Sequence, residues 1–62
     1  MENLFEAIEE FKKYTSNIEV VFSAEGIKQV DKEVTSKLMK DGIKISTSNN
    51  LIPLFCVREY KN

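Results

Sequence analysis

With no histidine and a single cysteine, Cys56, among its 62 residues, this chain has neither a disulfide nor a zinc site to staple it together. A domain of this size buries only about 60% of the surface its unfolded form exposes. Most such domains lean on disulfides, metal or association. Here the fold must come from packing alone or from packing plus a partner. One unpaired cysteine also points to a reducing, cytoplasmic compartment. The length allows one domain, residues 1–62, with no metal and no cofactor expected.

Charge narrows the choice of partners. Nine basic and ten acidic residues give a net charge of −1, so no bulk field draws the chain to nucleic acid or membrane. The opening "MENLFEAIEEF" carries acidic residues where a secretory leader needs basic ones, and no apolar run is long enough to span a bilayer. A short chain rich in Lys, Glu, Asn and Ile suits a regulator or inhibitor encoded by a bacterium or its phage.

Periodicity predicts helix, strand, helix, strand, strand. Leu4, Ile8 and Phe11 form a helical stripe over residues 4–15, with Asn3 and Glu6 spaced as a capping box and Glu2, Glu6, Glu9 and Glu10 near its positive end. "IEVVF", residues 18–22, alternates as a strand. Ser23 is placed to cap a second helix whose stripe is Ile27, Val30, Val34 and Leu38. Phe22 and Ile27 are spaced as a hydrophobic staple. Gly42 ends that helix, with Ile43 set to touch Leu38.

The last two strands, "GIKIST" and "LIPLFCVREY", read as a hairpin. Opposing Thr47 to Ile52, Ile45 to Leu54 and Ile43 to Cys56 gathers six side chains on one face. Lys44 then faces Phe55 and Ser46 faces Pro53 on the other. A four-residue loop, Ser48 to Leu51, keeps Pro53 from a position that needs its missing N–H. The expected fold is an α+β two-layer sandwich of α-β-α-β-β order, with two helices on one face of a small three-stranded mixed sheet. The strand-helix-strand unit makes the first two strands parallel. The third strand could lie on the outside, but its apolar content favours the middle.

Two helices leave one sheet face bare. This register puts Val21, Phe55 and Val57 there, bordered by Glu19, Lys44, Ser46 and Glu59. An aromatic between β-branched residues, rimmed by both signs of charge, suits the centre of a protein interface. The competing reading is ordinary scattered exposure. If the patch is an interface, Phe55→Ala weakens association and leaves the fold intact.

Catalysis has little to work with. The commonest general base is missing, and this register points Cys56 into the core as a small hydrophobe. The helix-one glutamates read as a solvated face. With only Gly26 and Gly42, no phosphate loop can form. Nucleic-acid binding is the leading alternative, through Lys28, Lys32, Lys37 and Lys40 of the second helix, with Lys44 just beyond. Intervening acids dilute that patch, and Arg58 is the only arginine available to read bases. The sequence therefore reads as a non-enzymatic protein-interaction module, binding another protein, itself as a homodimer, or both.

Overall fold

The computed structural model describes residues 3–49 and 53–61. Its elements are α1 (Leu4–Lys12), β1 (Ile18–Ser23), α2 (Ala24–Gln29), α3 (Lys32–Lys40), β2 (Lys44–Ser48) and β3 (Phe55–Glu59). They form an α+β sandwich, with the helices on one face of an open three-stranded mixed sheet of order β2-β1-β3.

α1 turns Leu4 and Ile8, each 1% exposed, onto the sheet, with Phe11 half-buried beside them. The Asn3 carbonyl accepts the Ala7 N–H at 3.0 Å, but the Asn3 side chain makes no cap bond, so the expected capping box does not form. Glu2 lies outside the described residues. The helix closes at Lys12 rather than Thr15, because the N–H groups of Tyr14 and Thr15 both donate to the Phe11 carbonyl.

The expected second helix is two helices. Ser23 does cap, its hydroxyl accepting the Gly26 N–H at 2.9 Å. The chain then extends at Val30 (φ −99°, ψ 136°) and Asp31 (φ −71°, ψ 147°). The Asp31 carbonyl restarts the helix by accepting from Val34 and Thr35. The break re-aims the chain: α2 packs on β1 and β2, and α3 continues against β2. The stripe survives it, since Ile27, Val30, Val34 and Leu38 all join the core. Gly42 ends α3 at φ +86°, donating to the Met39 carbonyl while Ile43 donates to Leu38. This is the double bond of a Schellman ending.

β1, not β3, holds the middle. It runs parallel to β2, as a strand-helix-strand unit requires, and antiparallel to β3. Ile18, Val20 and Phe22 are at most 2% exposed beneath the helices, and Glu19 and Val21 are buried on the opposite face. A strand buried on both faces fits the centre better than one carrying Pro53 and Arg58. β2 and β3 therefore do not pair. The expected pairs Ile45–Leu54, Ile43–Cys56, Lys44–Phe55 and Ser46–Pro53 do not form. The Thr47–Ile52 pair and the Ser48–Leu51 loop involve Asn50, Leu51 and Ile52, which lie outside the described residues.

With β1 between them, the register is Val20 opposite Val57, Phe22 opposite Phe55, and Val21 opposite Cys56. Phe55 and Val57 thus lie under the helices against the core, and Cys56 is exposed on the other side. Both placements reverse the sequence expectation. Each buried aliphatic or aromatic side chain contributes about 1.5–3 kcal/mol, so the larger apolar residues of β3 take the core face. On its way into β3 the chain presses against α2. The Leu54 carbonyl accepts the Ser23 N–H at 3.2 Å, and a Cβ on Gly26 would stand 1.8 Å from that oxygen.

Candidate open-face site

The face without helices is built from the odd residues of β1 and the even residues of β2 and β3. Glu19 lies between Lys44 and Arg58, and Val21 between Ser46 and Cys56. Tyr60 follows Arg58 on the same face, held by its backbone N–H donating to the Asn17 carbonyl at 2.8 Å.

Glu19 is the centre of the face. It is 5% exposed, although it stands on the side that no helix covers. Arg58 Nε donates to its Oε1 at 2.7 Å, and Ser46 Oγ donates to its Oε2 at 2.9 Å. One carboxylate thereby ties β2 to β1 and β1 to β3. The Arg58 hydrogen bond holds the Glu19 carboxyl below its ordinary value of 4.5; burial pushes the other way, and Ser46 and the charges of Arg58 and Lys44 add to the lowering. Glu19 is therefore an engaged anion at neutral pH.

Two further side chains surround it. Arg58 spends its Nε on Glu19, yet its side chain is 62% exposed. Lys44 Nζ stands 4.4 Å from the centroid of the Tyr60 ring, a cation–π contact. The exposed charges of this face are thus the cations Lys44 and Arg58, around a buried, paired anion.

The expected interface residues divide between the two faces. Glu19, Val21 and Lys44 are on the open face, but Val21 is only 7% exposed and offers no patch. Phe55 and Val57 belong to the helix-covered face. Glu59 shares their side and accepts a hydrogen bond from Thr15 Oγ1 at 3.1 Å. The apolar open-face patch does not exist. Arg58 and Tyr60 take its place, and a sequence signal for them was present. A register that turns Leu54 and Cys56 inward also turns Arg58 inward, burying a charge without a partner.

The alternative lysines also separate. Lys32, Lys37 and Lys40 line one hollow with Glu33 and Ser36, all on α3. A wall made by one helix is a groove rather than a cleft, and Glu33 interrupts its charge. Lys28 stands apart on α2. A second hollow, of about 100 Å³, lies among Leu4, Phe5, Gln29, Val30, Asp31 and Val34. That is well below the roughly 300 Å³ at which small-molecule pockets begin. Among the described residues no His, Cys, Asp or Glu cluster could hold a metal ion, and no helix is long and apolar enough to cross a membrane.

Compared with known protein families, curated proteins and solved structures, the chain matches none.

Proposed function

We propose that this chain is a non-enzymatic binding protein whose open sheet face contacts another protein with an acidic surface. The observation that carries this reading is the placing of exposed Arg58 and half-buried Tyr60 on one helix-free face, Arg58 held by buried Glu19 and Tyr60 by the Lys44 ammonium over its ring. Arginine and tyrosine, with tryptophan, are the residue types enriched at binding hot spots. Side chains already held in position lose less entropy when a partner arrives. Lys44 and Arg58 set the sign of the face, so an acidic partner is the complementary one. The non-enzymatic part of the reading rests on the missing histidine and on Glu19, whose oxygens are already occupied.

The test is a pull-down with the full chain from a lysate, with and without nuclease, using wild type, Tyr60→Ala and Lys44→Glu. Both substitutions spare the backbone bond from residue 60 to Asn17. A nuclease-resistant, stoichiometric partner whose affinity falls at least about thirtyfold in Tyr60→Ala, and which Lys44→Glu also loses, is the expected result. Recovery indifferent to both substitutions overturns the reading.

A second reading draws on the grouping of Lys32, Lys37 and Lys40 on α3, which would serve phosphate contacts. Recovery that disappears with nuclease, and that requires these lysines, selects it.

A further inference from the structure

The outer edge of β3 carries a backbone whose polarity is set by its pairing with β1. Leu54 accepts from Ser23 and Tyr60 donates to Asn17, so the even residues of β3 turn their backbone groups inward. Antiparallel pairing alternates. Phe55, Val57 and Glu59 therefore present their N–H and C=O groups to the outside. Among the described residues no backbone group of another segment meets them, and only the thiol of Cys56 approaches the Val57 carbonyl, at 4.0 Å. An edge of this kind is a template for another strand.

We propose that this edge pairs with the same edge of a second copy, antiparallel, about a two-fold axis through Val57. Three observations choose that occupant and that register. First, a two-fold axis at Val57 uses all of β3: Phe55 opposes Glu59 of the second copy, Val57 opposes Val57, and every outward backbone group finds a partner. Second, the neighbouring registers are penalised. An axis at Arg58 sets two Arg58 side chains directly opposite each other, and like charges there destabilise. An axis at Cys56 overlaps only three strand residues of each copy and brings Pro53, which has no N–H, opposite Glu59.

Third, an exposed aromatic stands at the end of the helix layer that is tied to this strand. α1 packs over β3, and its Phe5 faces α3, with Lys37 Nζ 5.9 Å from the ring. Tyr14, just past the end of α1 and next to Thr15, is 83% exposed. The bond from Thr15 to Glu59 pins that end of α1 beside the strand. In the dimer Tyr14 is positioned to cover the half-buried Phe55 of the second copy. The result is a continuous six-stranded sheet whose open faces join, with Cys56 of each copy opposite Arg58 of the other. This inference stands independently of the acidic partner.

The experiment is sedimentation velocity over a wide concentration range, with Cys56→Ser as the reference to prevent oxidation. Cys56 is exposed and outside the core, so charge can be changed there without repacking. Cys56→Glu places two new opposite-charge pairs across the axis and should tighten the dimer about 2- to 30-fold; Cys56→Lys should weaken it by a similar factor. Tyr14→Ser should weaken it too, with melting monitored to confirm that each variant folds. A monomer at every concentration overturns the proposal. So does a dimer indifferent to charge at position 56, or wild-type dimers joined through Cys56 that dissociate on reduction.

Discussion

Gly26 and Gly42 are both required, for unrelated reasons. At Gly26 the backbone conformation is ordinary helix, and the constraint is space: a Cβ would stand 1.8 Å from the Leu54 carbonyl oxygen, a backbone atom that also accepts the Ser23 N–H. At Gly42 space is free, with nothing within 4 Å of an added Cβ, and the constraint is φ +86°. Gly42→Ala should therefore cost about 1–2 kcal/mol, the left-handed penalty alone. Gly26→Ala should cost more, about 3 kcal/mol, because the segment entering β3 must move. Urea unfolding of the two variants separates them further. The Gly42→Ala chain should keep wild-type dispersion of its β3 amide resonances, and the Gly26→Ala chain should not. Equal costs with undisturbed β3 resonances would show that Leu54 does not pack on α2.

At the scale of the elements, β3 is where sequence and structure part. Phe55 lies opposite Phe22 against the core, so Phe55→Ala should destabilise the fold by about 2 kcal/mol, below the 3–5 kcal/mol of a fully buried Phe because it is half-exposed. Cys56→Ala should change stability by less than about 0.5 kcal/mol. Denaturant titration decides it: a stable Phe55→Ala and an unfolded Cys56→Ala would restore the opposite register. The helical features were legible because their signals are local. Ser23, Gly42 and the stripes of Leu4–Ile8 and Ile27–Leu38 act within a few residues of themselves. Strand order was not, because pairing is a contest among distant segments. "LIPLFCVREY" looked central by apolar count, yet β1 is the strand that buries both faces. The helix break at Val30–Asp31 was hidden for another reason: the apolar spacing continues across it, so periodicity registers no interruption.

In the molecule as a whole, a single helix layer covers one face of the sheet, and a polar clamp does the work of a second layer on the other. Glu19 joins Ser46 of β2 and Arg58 of β3 from the central strand, so its charge bears on all three strands at once. Its folded pKa lies below its ordinary value of 4.5, chiefly through Arg58. The stabilisation is therefore present above that ordinary value, and it is lost as pH falls through the lower folded value. Chemical unfolding measured from neutral pH down into the acid range should show wild type losing stability over that window. Glu19→Gln keeps an oxygen to accept from Arg58 and turns an amide N–H toward Ser46, whose hydroxyl can accept it, but has no charge to titrate, so it should begin less stable at neutral pH and lose less on acidification. Arg58→Ala should cost about 2 kcal/mol at neutral pH, because it leaves a buried carboxylate with one hydrogen bond fewer. It should also flatten the acid limb, since the largest cause of the lowered pKa is gone. If wild type and Glu19→Gln lost stability in parallel between neutral and acid pH, the clamp would not be what holds the bare face together, and the preorganisation of Arg58 on which the proposed binding rests would fail with it.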